Sequence, residues 1–392
     1  MAVTLSNADN ALKSVYLEVI TNQLDNYVNP FFAKIKKTTN DIYGKEVKKL
    51  IMHGVNGGIG AGTEDGGLPK ASGNSYGQIT ATLKNLYGTI EISDKAVRAS
   101  QNNAGAFVNL LNAEMEGLIK SSKYNFDRML MGDGTGKLCA VEIADGEIVV
   151  DDISKLAIGM LVDVRTADGE VTSWGESRKI VEINRTNNTI KFANDGSEMP
   201  ESVSEETFLC VQGSWDKELT GLGALFTSTG TIYGLDKQEN PWLCPHVVDV
   251  NGEISEDKLQ EAIDNVEMNS GNKINFILCS MAVRRALQKQ LSANRYFTDT
   301  ATLDGGYNAI TFNGIPVVSD RFCPEGSMYL LNTDDFELHQ LCDWQWLEDD
   351  NGRILKQIPG KPVYSATLVK YAELVCSNPA GQCVLKNISV GK

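Results

Sequence analysis

Histidine is scarce in this chain of 392 residues: three occur, His53, His246 and His339, far apart in sequence. That scarcity argues against a histidine-based metal centre or a catalytic triad. The eight cysteines never stand as C-x-x-C, the spacing a zinc ribbon or redox pair would need. Six of them lie in apolar or strand-like runs such as "INFILCS" and "AELVCS", and read as small buried hydrophobes in a reducing compartment. No stretch reaches the roughly 18 apolar residues of a membrane-spanning helix. The start, "MAVTLSNADNALKSVYLEV", lacks the basic end and apolar block of a signal peptide, so folding in the cytosol and no membrane partner are expected.

What is present is ordinary globular material: 42% apolar and 22% charged residues, enough chain for two or three lobes with their own cores. The net charge of −15 is unevenly placed. Residues 28–50 carry six lysines against Asp41 and Glu46, a local net of +4, whereas 137–213 carry 15 acids against seven bases, a net of −8. One short basic stretch on an acidic protein is not the footprint of a specific nucleic-acid binder. It points to two faces with different neighbours.

Residues 1–50 read as an extended arm with short helices. Leu12, Tyr16, Val19, Ile20 and Leu24 fall at helical spacing, and Asn29-Pro30 is expected to end that helix. From His53 to Asn74 eight of 22 residues are glycine. "SYGQITATLKNLYGTIEIS" then alternates as a strand with Gly88 as a bend, and the segments flanking the glycine-rich stretch are expected to pair as a long hairpin. Beyond capping residues Asn102 and Asn103, Phe107, Leu111, Met115, Leu118, Phe126, Met129 and Leu130 make one apolar stripe, stopped by Gly132 and Gly134. That is a helix of about 28 residues, roughly 42 Å at 1.5 Å per residue. Residues 137–213 break into short β-runs with turns about every 10 residues, as in a small barrel or sandwich. From Ser255 helices and strands mix, with a hairpin about Asn313-Gly314. The tail is two strands broken at 378–381.

The motifs that could carry chemistry fail on spacing. Around Gly58, Gly60 and Gly62 the third glycine of a dinucleotide fingerprint is missing, and a strand follows where a helix is required. In "MGDGTGKL" Met131 replaces the first glycine of a phosphate loop and Leu138 its Ser/Thr. Asp334-Asp335 and Asp349-Asp350 read as solvated loop acids. Trp344 and Trp346 could stack a base or sugar but are better read as core or interface packing. Asn184 and Asn387 stand in glycosylation sequons that a cytosolic chain would not use. No catalytic constellation emerges, so neither enzymatic activity nor a cofactor or metal is expected.

The order of these parts resembles the major capsid proteins of tailed bacteriophages, the Hong Kong 97-type fold. The resemblance rests on the arm, the Gly-rich hairpin, the single long helix, "FNGIPVVSDRFCPEGSMYLLN" and "VYSATLVKYAELVCSNPAGQCVLKNI". It implies an α+β fold: N-terminal arm (1–50), extended-loop hairpin (51–92), peripheral domain with spine helix (93–136), an inserted, outward-facing β-barrel or sandwich (137–213), a return to the peripheral domain (214–254), an α/β axial domain (255–345) and peripheral C-terminal strands (346–392). It implies a virion shell of pentamers and hexamers around double-stranded DNA, assembled in the host cytoplasm. The implied partners are copies of itself, a separate scaffolding protein, a portal, packaged DNA and decoration proteins. Intersubunit contacts are expected at Gly57, Gly60, Gly66, Pro69, Lys70, Tyr76, Lys34, Lys36 and Lys37, with packaged DNA the alternative partner of the arm lysines; Lys70 is placed as the cross-linking loop lysine of some relatives is, but the sequence offers no acid to promote that reaction. The expected axial motif is Gly314, Ile315, Pro316, Val317, Val318, Pro324 and Gly326. An encapsulin-type compartment shell and a β-rich surface-binding protein are the alternatives.

Overall fold

Asn29-Pro30, expected to close a helix, opens one. In the computed structural model, which describes residues 29–95, 104–144, 146–193, 206–293, 300–302, 308–349 and 352–390, Asn29 Oδ1 accepts the amides of Phe31 and Phe32 at the start of α1 (Pro30–Lys34). Proline fits that first turn because its missing N–H has no helical partner there. Strands β1 (Lys36–Thr38), β2 (Ile42–Tyr43) and β3 (Glu46–His53) follow, then β4 (Ser75–Thr82) and β5 (Lys84–Ser93). Helix α2 runs from Ala104 to Met131. The expected arm helix and the caps Asn102 and Asn103 lie outside the described residues, as do the side chains of Phe107 and Leu111.

Six strands, β6 (Lys137–Ala144), β7 (Glu147–Val150), β8 (Leu161–Thr166), β9 (Arg178–Asn184), β10 (Thr189–Phe192) and β11 (Thr207–Val211), close into a barrel of order β10-β7-β6-β11-β8-β9. Its interior is filled by Leu138, Val141, Ile148, Val162, Val164, Trp174, Ile180, Ile190 and Leu209. After α3 (Leu222–Leu225) and the small hairpin of β12 (Thr231–Ile232) and β13 (Leu235–Asp236), the chain builds a mixed α/β lobe. Its elements are β14 (His246–Gly252), α4 (Glu256–Ser270), β15 (Phe276–Cys279), α5 (Met281–Ala293), β16 (Thr300–Thr302), β17 (Asn308–Phe312), β18 (Ile315–Ser319) and β19 (Met328–Leu331). Then come β20 (Phe336–Trp346), β21 (Lys356–Gln357), β22 (Val363–Cys376) and β23 (Cys383–Ile388).

Two sheets organise the rest. One has seven strands in the order β14-β23-β19-β15-β18-β17-β16. Successive residues of β15 point to opposite faces: Ile277 and Cys279 pack with Leu259, Val266, Val283 and Leu287 of α4 and α5, whereas Phe276 and Leu278 join the central core. In the other sheet β22 is the shared strand, antiparallel to β20, β21 and β5, with β1 added in parallel to β20. Helix α2 lies on it through Met115 and Ile119 against Ile90, Ile92, Ala366 and Leu368.

Several expected boundaries move. The run from Ser75 to Ser93 divides at Leu83, not at Gly88, because its halves have different partners: β4 pairs with β3, and β5 with β22. Gly88 is instead where α2 comes close, since a Cβ there would stand 2.9 Å from Leu118 Cδ1. The hairpin thus runs from Glu46 to Thr82 rather than 51–92. The cuts at 254/255 and 345/346 also cross the sheets. Strands β14 and β23 both belong to the seven-stranded sheet, and β20 belongs with β22. Pairing between strands distant in sequence decides these limits, and local pattern carries no trace of it.

Candidate assembly surface

The hairpin of β3 and β4 continues beyond its last ladder pair, His53 with Ser75, as two legs running side by side. A Cβ on Gly57 would lie 3.4 Å from Ser72 Oγ, one on Gly60 3.1 Å from Pro69 Cγ, and one on Gly62 3.7 Å from the Gly67 carbonyl. A turn closes the tip, with Gly66 N–H donating to the Thr63 carbonyl at 3.1 Å. At about 3.3 Å per residue the ribbon from Glu46 to the tip spans up to roughly 60 Å. Glycine readily adopts left-handed backbone, yet among these legs only Gly54 has positive φ, +78°. At Gly57, Gly58 and Gly60 the glycines' value is the missing side chain, which lets the legs approach.

Every residue from Ile59 to Tyr76 is exposed. Val55, Ile59 and Leu68 stand 89%, 85% and 94% open to solvent, and Tyr43, Leu50, Met52 and Tyr76 are also exposed. Large apolar groups concentrated on one projection mark an interaction surface, because solvation of each is unfavourable and none has a partner in the chain's own core. The expected contact residues Gly57, Gly60, Gly66, Pro69, Lys70 and Tyr76 all lie on this ribbon.

The root is held firmly where the tip is not. The Trp242 ring fills the notch over Gly77, where a Cβ would meet its Cζ2 at 2.5 Å, and His53 stacks on that ring at 4.8 Å between centroids and 4° between planes. The Thr80 amide donates to Tyr233 O, in the turn between β12 and β13, and Leu83 N–H donates to Lys45 O. Neither His53 nor Trp242 carries a sequence motif that announces this contact; the empty face at Gly77 is its only local signal.

The basic segment docks on its own chain. Lys49 Nζ reaches Glu337 Oε2 at 2.7 Å and Lys36 reaches Oε1 at 3.4 Å, while buried His339 places Nε2 3.4 Å from Glu337 and Nδ1 3.0 Å from Asn40 O. Burial alone would raise the Glu337 carboxyl; hydrogen bonding and charge from Lys49, then Lys36 and His339, outweigh it and hold it below the usual range. Lys37 lies 4.4 Å over the Phe32 ring, and Lys34 closes the last turn of α1. At the other end of this segment Asn29 Nδ2 donates to Asp320 Oδ2 at 2.6 Å. Burial pushes the Asp320 carboxyl up, and pushes that of Asp127 on α2 up to about 8, with Asp320 adding to the effect.

The remaining singled-out residues are structural. Asn313 and Gly314, with φ of +50° and +80°, form the turn between β17 and β18. Ile315 and Pro316 are part-exposed in β18, while Val317 and Val318 are buried on its two faces. Pro324 O accepts from Ser327 N, and Gly326, at φ +71°, leaves room for the Ile388 carbonyl, which would be 2.9 Å from a Cβ. "MGDGTGKL" lies at the C-terminal end of α2, and Lys137 covers the Phe208 and Trp215 rings. Trp346 is buried; Trp344 packs on Phe126 and over the buried Lys370 ammonium. Asp335 is not a solvated loop acid: it accepts from Asn272 at 2.6 Å and Gln382 at 2.8 Å. The barrel's root is clamped by the buried Arg128–Glu218 pair and by Thr220 N–H donating to Glu373 at 2.8 Å.

No family model matches the chain, and no curated protein matches it. Solved structures do. A chain of the cyanophage A-1(L) capsid shares 14% identity over 94% of this chain and 93% of its own, with a TM-score of 0.50. The SrpI encapsulin of Synechococcus elongatus PCC 7942 shares 12% over 95% and 96%, with a TM-score of 0.49. The capsid of the myovirus XM1 shares 11% over 92% and 93%, with a TM-score of 0.44. At such identities the likeness is one of fold: this chain has the major capsid protein fold of tailed phages, the Hong Kong 97 type, along nearly its whole length.

Proposed function

We propose that the chain is the major capsid protein of a tailed phage, assembling with copies of itself as pentamers and hexamers into an icosahedral head around double-stranded DNA. The observation that carries this is the ribbon: on a phage-capsid fold, a projection up to roughly 60 Å long offers exposed Val55, Ile59 and Leu68 to something outside its own chain. In this reading the ribbon is the extended loop laid over a neighbouring subunit, α2 is the spine helix, the sheet around β22 is the peripheral domain and the seven-stranded sheet with α4 and α5 is the axial domain. The barrel, with its net charge of −8, is the inserted module facing outward.

Ordering such a segment costs roughly 1–2 kcal/mol per residue. A subunit that contacts several neighbours at once recovers this collectively, since the contacts form and break together. The subunit needs no enzymatic activity or cofactor for that role. Its further partners are a separate scaffolding protein, a portal, DNA bound without sequence preference and decoration proteins.

Expression alone and with its neighbouring gene products, followed by negative-stain microscopy, tests the proposal. Angular shells that retain nuclease-protected DNA support it. Shells holding a protein cargo and no DNA favour an encapsulin-type compartment, and discrete small oligomers oppose both; monomers binding surfaces through the barrel favour the adhesive alternative.

A further inference from the structure

The root of the ribbon, where β2 pairs with β3 and β3 with β4, has one covered face and one bare face. Along β3 and β4 Val47, Ile79 and Ala81 point into the core. Lys48, Leu50 and Met52 alternate with the inward set and stand exposed, and the register sets Leu50 opposite Gln78 and Met52 opposite Tyr76. Leu50, Met52 and Tyr76 are 65%, 61% and 56% open. Lys45 and Lys48 are exposed at the base of the same ribbon; Lys48 has a 3.4 Å pairing with Glu46, and Lys49 is already committed to Glu337. The bare face carries an apolar stripe, with Lys48 and its partner Glu46 at its base and Lys45 exposed in the turn just before β3.

The tip has the complementary composition. Glu64 and Asp65 occupy its turn, fully in solvent, and Ile59 and Leu68 flank them; Lys70 is the one base on these legs. Root and tip cannot meet within one copy, because Lys48 and Glu64 stand roughly 50 Å apart along an extended ribbon. Between copies they can. We propose that the outward root face, Leu50, Met52 and Tyr76 with Lys45 and Lys48, is the receptor for the acidic, apolar ribbon tip of a second copy of this chain. Joined head to tail, such a contact is heterologous: each copy offers a tip to one neighbour and a root to another. Repetition of that kind closes into rings or continues indefinitely, as the rotation dictates. The inference rests on the shell function proposed above, and it names which surface of the neighbour the ribbon grips.

Charge exchange tests it on the full chain. The tip reversal Glu64→Lys with Asp65→Lys, and the root reversal Lys45→Glu with Lys48→Glu, alter only exposed side chains, so circular dichroism and the melting temperature of unassembled chains serve as the folding control. Each reversal alone is expected to lower the yield of sedimenting shells by roughly tenfold, because weak exposed pairs are repeated at every contact. Both reversals together restore the yield. In assembled particles carrying no charge reversal, Asp65→Cys with Lys48→Cys gives an oxidised ladder on a non-reducing gel that neither single cysteine variant gives. Shells that form without the ladder, or paired reversals no better than single ones, overturn the tip-to-root contact while leaving the shell function standing. Absence of shells from the unmodified chain overturns the function and this contact with it.

Discussion

Gly77→Ala isolates the anchoring of the ribbon root. The added methyl would stand 2.5 Å from Trp242 Cζ2 and 2.9 Å from Cη2, whereas carbon atoms rest at about 3.5–4.0 Å. The ring must retreat by about 1 Å, yet His53 stacks on it at 4.8 Å and shares the displacement. Overpacking of this kind costs about 1–3 kcal/mol, which is a factor of roughly 5 to 150 in the local opening equilibrium at 1.4 kcal/mol per tenfold. Hydrogen exchange of the β3 and β4 amides in the unassembled chain reads that opening directly. Exchange should accelerate by that factor in Gly77→Ala, and also in Trp242→Ala, where the stack is lost. In the double variant no ring remains to clash, so adding Gly77→Ala to Trp242→Ala should be neutral or slow exchange, since alanine restricts the open chain more than glycine does. Wild-type exchange in Gly77→Ala, or an equal increment with and without Trp242, would refute the notch as the anchor.

Other perturbations test the supports around it. The neutral Asp127 carboxyl, pushed up to about 8 by burial and then by Asp320, binds a proton in the fold that the unfolded chain releases above its ordinary range. Its stabilisation is therefore complete in acid and lost as pH rises toward 8; Asp127→Asn should flatten the fall of melting temperature between pH 5 and 8, and an unchanged slope would discount the group. Glu218→Gln leaves buried Arg128 without its counter-charge and should cost about 3–5 kcal/mol in denaturant unfolding; a loss within error would exclude the clamp. Lys237 Nζ donates to the carbonyls of Ala224, Leu225 and Thr227, each at 2.8 Å, so Lys237→Met should cost about 1–3 kcal/mol by stranding them. Lys36→Glu repels Glu337 instead of pairing with it and Lys37→Glu removes the ammonium over the Phe32 ring, so the pair should reduce assembly; normal shells that fail to retain DNA would assign these lysines to the genome instead.

Local signals in the sequence correspond to what neighbouring residues decide. The Asn313-Gly314 turn needs two positive φ values that these residues adopt readily, and Ser255 caps α4 with its side chain accepting Lys258 N–H. The apolar stripe through Met115, Phe126, Met129 and Leu130 is legible at helical period and is buried on α2. What is not legible depends on distant partners. Nothing near Leu83 signals that β4 and β5 part company there; the cause is β22, almost three hundred residues away. Likewise nothing local in the basic stretch, where Lys36 is expected to meet another subunit, signals that β20 brings Glu337 to both Lys36 and Lys49. At the candidate surface, glycine content marks the ribbon but not its mechanics. The exposure of Leu50 and Met52 is hidden because "KKLIMH" has apolar residues on both faces, so no alternation distinguishes the anchored side from the bare one.

The central claim is that the ribbon is built to grip another copy. A cryo-EM reconstruction of the purified, assembled protein tests it most directly. The expected result is a closed shell of pentamers and hexamers in which residues 54–74 lie ordered along an adjacent subunit. Discrete monomers or small oligomers with that segment packed back on its own chain would contradict it.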